Sequence, residues 1–248
     1  MPHLTLPQWA LAAAAATGIG IGKSGIAGMS LAHVLIFAFL FGARESTGVV
    51  LPMLLVGDVC AVRIFHQHAR WDYVRRMLPP ACLGVVIAAA VMRVLNESMY
   101  KPLIGVTILA LTILQVARMQ RPDWFGSVPH ARWFAVTIGL VAGGATMLAN
   151  SAGPIIAIYC LAVGLPKFEL VGTSAWFFFI INLFKVPFSF ALGLIHGGTL
   201  ALNAILSPAI VAGIFLGRWL TARIPQRLFD GLLLAFAAIA ALRLIGVV

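Results

Sequence analysis

Ten apolar runs, separated by short polar, glycine- or proline-containing stretches, make up most of this chain. The first set covers about 6–22, 27–42, 46–64, 77–95 and 99–118, and the second covers 133–148, 153–165, 170–194, 200–219 and 228–247. A helix needs about 20 apolar residues to cross a bilayer, and the first two runs of each set are shorter than the rest. The pattern predicts an all-α integral membrane protein, 1–248 as one transmembrane domain, with repeats at about 6–118 and 133–247. Each repeat is a broken or re-entrant helical hairpin plus three transmembrane helices.

Two polar, glycine-containing breaks interrupt the runs at corresponding places, about 125 residues apart, at 20–28 and 147–154. Unpaired backbone groups in hydrocarbon cost several kcal/mol each, so broken segments persist there only where they line a protein cavity. Paired breaks in two matching halves are the best pointer in a sequence to a transporter's substrate site.

Positive charge distinguishes two interpretations of the short runs, which form either hairpins or single broken spans. Lys and Arg concentrate in cytoplasmic loops. With hairpins, eleven basic loop residues lie on one side and four on the other, whereas single broken spans give seven against eight. The hairpin interpretation is favoured. It places both termini outside the cell and inverts the second half relative to the first.

Composition excludes several other classes of protein. Hydrophobic residues make up 62% of the chain and charged residues 10%, too few to cover a soluble globule. The net charge of +10 is scattered over short loops, which argues against nucleic-acid binding. The chain offers no HExxH, GxSxG or paired intramembrane acids, so we expect neither an enzyme nor a metal or cofactor site.

Two lysines, Lys23 in the first break and Lys185 in a long apolar run, lie at membrane depth. A lysine at the centre of a lipid-facing helix costs about 2.5–3.5 kcal/mol, so both should face protein or water. The functional interpretation is a cationic pocket for a small anion. The alternative for Lys185 is that its side chain snorkels to the interface.

Neutral polar residues near the breaks extend this candidate site. Free N–H groups at half-helix N-termini suit anions, and Ser24, Asn150 and Ser151 add hydrogen-bonding groups. Asn182 shares a helix face with Lys185, while Thr173 and Ser174 either contact the ligand or cap their helix. The predicted substrate-binding set is Lys23, Ser24, Asn150, Ser151, Thr173, Ser174, Asn182 and Lys185.

Two titratable residues are candidates for coupling. Asp58 is the lone acid of an apolar run. It either carries a coupled proton or counters a buried lysine, or it is a structural pairing or boundary residue near Arg63. His33 follows the first break, where it is either a packing residue or takes part in substrate or proton binding.

Several motifs resemble the sulfite exporter TauE/SafE family of membrane transporters. They are Gly22-Lys23-Ser24-Gly25, the mid-chain turn Asn150-Ser151-Ala152-Gly153-Pro154, and the stretches 164–167, 171–178 and 182–187. The resemblance implies a multi-pass permease of the bacterial cytoplasmic membrane, with duplicated halves and a possible homodimer. It implies ion-coupled transport of a small sulfur-containing anion, such as sulfite or an organosulfonate like sulfoacetate. Lys23 departs from the all-glycine turn of other members. A passive anion channel, or a permease for another small organic anion, is the alternative.

Overall fold

The computed structural model describes residues 4–24, 29–120 and 132–221, and all regular structure in these ranges is helical. The α-helices are α1 (Leu6–Lys23), α2 (Met29–Phe41), α3 (Ala43–Phe65), α4 (Trp71–Val94), α5 (Glu97–Gln120), α6 (Arg132–Ala149), α7 (Gly153–Ala162), α8 (Lys167–Ala191) and α9 (Gly197–Thr221). A short 3₁₀ helix, His66–His68, precedes α4. The run predicted at 228–247 lies outside the described residues.

Within the described ranges, six helices are long and apolar enough to cross a membrane: α3, α4, α5, α6, α8 and α9. Two shorter apolar stretches, Leu31–Phe41 and Gly153–Ala162, follow the breaks. Large apolar side chains such as Phe39 (79% exposed) face outward, as expected for a surface in contact with lipid. The prediction of a helical integral membrane protein is confirmed. The inverted relation of the two halves stays a prediction.

The first helix of each half packs along the fourth helix of the other half, α1 on α9 and α6 on α4. Glycines allow the close approach in both pairs. A methyl group on Gly20 of α1 would overlap the backbone of α9, and one on Gly143 of α6 would overlap the Ala81 carbonyl of α4. Small residues are the usual means by which membrane helices pack backbone to backbone.

The third helices, α3 and α8, pack against each other at the centre. One apolar cluster joins α1, α2, α3 and α9, and a larger one is built mainly from α4 to α8. Each central helix has a glutamate as its third residue, Glu45 in α3 and Glu169 in α8. Thirteen residues later α3 carries Asp58 and α8 carries Asn182. The two polar residues therefore occupy matching positions on the two central helices.

Candidate substrate site

The two breaks end their helices in different ways. α1 ends at Lys23, and the Ser24 N–H donates a 3.1 Å hydrogen bond to the Ile21 carbonyl. α6 ends at Ala149, and Asn150 follows with φ of 52°, the only positive φ of a non-glycine residue in the described ranges. Asparagine tolerates this left-handed conformation better than most residues, so it can stop a helix without glycine.

A hydrogen-bonded network links both lysines through the central helices. Lys23 Nζ lies 2.5 Å from Asp58 Oδ1, and Asn182 Nδ2 donates to Asp58 Oδ2 at 2.7 Å. Lys185 Nζ in turn donates to Asn182 Oδ1 at 3.3 Å. The Asp58 side chain is fully buried, and its interaction with Lys23 is an ion pair. Asp58 therefore pairs with a lysine, as one interpretation of this residue has it, and its role as a carrier of a coupled proton stays a prediction.

Lys185 is held by neutral oxygens alone. Its ammonium donates to Asn150 Oδ1 at 2.5 Å and to Thr146 Oγ1 at 3.1 Å, in addition to Asn182. No carboxylate of the described ranges lies within 4.0 Å of it. Lys185 is 1% exposed, so it does not snorkel to an interface. With both lysines protonated and Asp58 ionised, this network carries one net positive charge.

A cavity of about 120 Å³ lies against the network. Its wall includes Lys23, whose Nζ lies 5.0 Å from the centroid of the Phe178 ring, another lining residue. The other polar side chains on the wall are His33, Thr146, Asn150, Ser174 and Asn182. Gly153, the first residue of α7, also lines it, and the first N–H groups of a helix have no partner within that helix. The cavity thus combines an ammonium, hydroxyls and a helix N-terminus.

The structure divides the predicted site residues into two groups. Lys23, Asn150, Ser174 and Asn182 line the cavity, and Lys185 lies behind its wall, in contact with three lining residues. The remaining three, Ser24, Ser151 and Thr173, lie off the wall.

The residues off the cavity have other surroundings. Ser24 Oγ donates to the Ile214 carbonyl of α9 at 2.9 Å, and Thr173 Oγ1 accepts a 3.0 Å hydrogen bond from the Arg70 N–H. These bonds tie helices and connections together. Ser151 is fully buried, and its hydroxyl has no partner among the described residues.

Among the polar side chains of the wall, Thr146 was not predicted. Thr146 lies four residues before Asn150, and its carbonyl accepts a 3.0 Å hydrogen bond from the Asn150 N–H, so this helical spacing was a usable signal. No group of three or more His, Cys, Asp or Glu side chains that could hold a metal occurs in the part of the chain that the structure describes.

Comparison with known proteins identifies the family. Neither the curated proteins nor the solved structures gave a match. The family model described as "Sulfite exporter TauE/SafE" matches residues 10–244, nearly the whole chain. The match includes both breaks, both central helices and every residue of the network. The chain therefore belongs to the sulfite exporter TauE/SafE family, a family of membrane transporters.

Proposed function

We propose that this protein is a secondary transporter that moves a small sulfur-containing anion, sulfite or an organosulfonate such as sulfoacetate, across the cytoplasmic membrane by alternating access. The observation that carries the proposal is the presence of two lysines and a single carboxylate in the buried network beside the cavity. An uncompensated charge is strongly disfavoured in a low-dielectric interior, and a bound anion would neutralise it.

The donors around the cavity suit a sulfur oxyanion. Lys23 has three N–H groups and Asp58 occupies one of them, which leaves donors for a ligand. Ser174 and Thr146 add hydroxyls, and Gly153 adds the N-terminus of α7, where partial positive charge favours anions. The amides of Asn150 and Asn182 are occupied by Lys185, Asp58 and the Thr47 carbonyl, so we assign them to holding the charges in place.

An anion entering the cavity competes with Asp58 for Lys23. Binding would therefore loosen the ion pair between α1 and α3, and a ligand shifts a conformational equilibrium by differences of this kind. We propose that this is the step that favours reopening of the cavity toward the other side. Asp58, once released, is also the group that we propose to carry a coupled proton.

Orientation follows from the charge pattern. We place the connection that carries Arg70 in the cytoplasm and both termini outside, because that assignment puts most basic loop residues inside. Protease-accessible epitope tags at either terminus test the assignment in intact cells. Cleavage of both tags from outside is expected, and protection of both would reverse the orientation.

The direct test of the proposed function is sulfite uptake into proteoliposomes that contain the purified protein. Lys185→Met removes the net charge of the network, and we expect uptake to fall about 100-fold. Lys101→Met, at an exposed lysine on α5, is the matched control and should retain uptake. Size-exclusion chromatography verifies that both variants are folded. Equal uptake by wild type and folded Lys185→Met would refute the charge mechanism.

The same vesicles distinguish a carrier from a channel. A carrier gives saturable uptake and exchanges internal for external anion, because its site faces one side at a time. A pH gradient should alter the initial rate if a proton is coupled. Unitary conductance steps in a planar bilayer would instead establish a passive channel.

A further inference from the structure

His33 presents at this cavity a ring nitrogen that has no hydrogen-bond partner among the described residues. It lies on α2, lines the cavity and is 3% exposed. Its Nδ1 lies 3.1 Å from the Met29 carbonyl, which can only accept, so Nδ1 carries a hydrogen. Nε2 is buried and has no partner among the described residues. In the neutral ring Nε2 is therefore an acceptor that has no donor among the described residues.

We propose that His33 is a specificity-determining residue that accepts a hydrogen bond from a hydroxyl group on the transported anion. This inference rests on the proposed function and narrows its substrate class. The cavity then favours monovalent sulfur oxyanions that carry an O–H group, namely hydrogensulfite or a small hydroxyalkyl sulfonate, over the corresponding anions without one.

The reason is the contrast between His33 and the rest of the wall. Four groups of the wall can donate to anionic oxygens: the Lys23 ammonium, the Thr146 and Ser174 hydroxyls and the Gly153 N–H. A sulfonate without a hydroxyl group presents only acceptors to the wall, so it satisfies these donors but gives Nε2 no hydrogen-bond donor. A ligand hydroxyl supplies the missing donor. Asp58, the acid of the network, is not among the residues that line the cavity and does not substitute for His33.

The test compares two anions that differ only at one end. Isethionate carries a hydroxyl where 1-propanesulfonate carries a methyl group, and both are monovalent throughout the accessible pH range. Displacement of bound sulfite from the purified, full-length protein gives the affinity of each. We expect wild type to prefer isethionate about tenfold. His33→Leu should remove this preference by weakening isethionate alone. His33→Gln, whose amide oxygen can accept in place of Nε2, should restore much of it.

The possible failures are distinguishable. Equal affinities in wild type, a preference unchanged in His33→Leu, or binding of sulfite but of neither sulfonate would overturn the role of His33. Absence of sulfite binding to wild type would instead refute the proposed function itself. If His33→Leu does not fold, the wild-type ratio and the His33→Gln ratio decide the question.

Discussion

The two breaks of this protein match in position but differ in the partner that a lysine has there, a carboxylate at the first and neutral oxygens at the second. The first places Lys23 beside a carboxylate, Asp58, and opens both its charge and its remaining donors toward the cavity. The second places Asn150 at the helix end, where its amide oxygen holds Lys185 away from the cavity. The central contact between Asp58 and Asn182 joins the two arrangements. One half thus contributes a neutral ion pair with free donors, and the other contributes the net charge.

We therefore assign direct hydrogen bonds with the ligand to Lys23 and electrostatic attraction without contact to Lys185. Lys23 can reorient toward a ligand because its side chain is 14% exposed, although Asp58 pairs with it in this structure. Lys185 acts through its field, because all three of its hydrogens have neutral protein partners. Variants that change one half without the other should therefore produce different phenotypes.

The largest expected effect is on stability, in the first half. Lys23→Met leaves the fully buried Asp58 carboxylate with Asn182 as its remaining partner, and we expect a loss of about 3–5 kcal/mol in the free energy of unfolding. The double variant Lys23→Met/Asp58→Asn removes the stranded charge and should recover most of it. Unfolding in detergent micelles gives the double-mutant cycle. Additive losses would show that the pair is not coupled.

The second expected effect is on anion affinity, in the second half. Asn150→Asp gives Lys185 a carboxylate at the position of the present amide oxygen, which makes the second break resemble the first and cancels the net charge. Aspartate also tolerates the φ of 52°. We expect anion affinity to fall at least about tenfold while the protein stays folded.

Asn150→Gly is the control for this substitution. Glycine adopts the same backbone conformation and removes the amide without adding a charge, so it should lose less affinity than Asn150→Asp. Both affinities are measured by sulfite binding to the purified protein. A greater loss in the glycine variant would assign the effect to the amide itself and contradict the charge argument.

The helices and part of the site followed from sequence, because both depend on local pattern. The run predicted at 46–64 is α3, Ala43–Phe65, and both breaks contribute lining residues, Lys23 and Asn150. The contact between Asp58 and Asn182 was not predicted, because it depends on which helices pack together. Thr173 and Ser174 are consecutive residues about 100° apart around α8, so the two point in different directions. The structure was needed to show that Thr173 binds the Arg70 N–H whereas Ser174 lines the cavity.

The third prediction compares the two helix pairs that hold the halves together. Gly143→Ala places a methyl group into the α4 backbone, and Gly213→Ala does the same at the Thr17 carbonyl of α1. Each should lower the free energy of unfolding by about 1–3 kcal/mol. Gly144→Ala is the matched control, because its added methyl group would meet nothing within 4 Å, and alanine should stabilise α6 by up to about 1 kcal/mol. Thermal unfolding in detergent compares all three. Similar losses at 143 and 144 would show that close packing is not the cause.

The smallest expected effects lie on adjacent residues of α8. Thr173→Val removes the acceptor for the Arg70 N–H and should lower the free energy of unfolding by about 1 kcal/mol without changing anion affinity. Ser174→Ala removes a hydroxyl from the cavity wall and should weaken anion binding several-fold, with little change in stability. Each variant is the control for the other, with binding and unfolding measured on the same samples. The reverse pattern, with affinity lost in Thr173→Val and kept in Ser174→Ala, would place the anion on the other side of α8, away from the network whose charge it is proposed to neutralise.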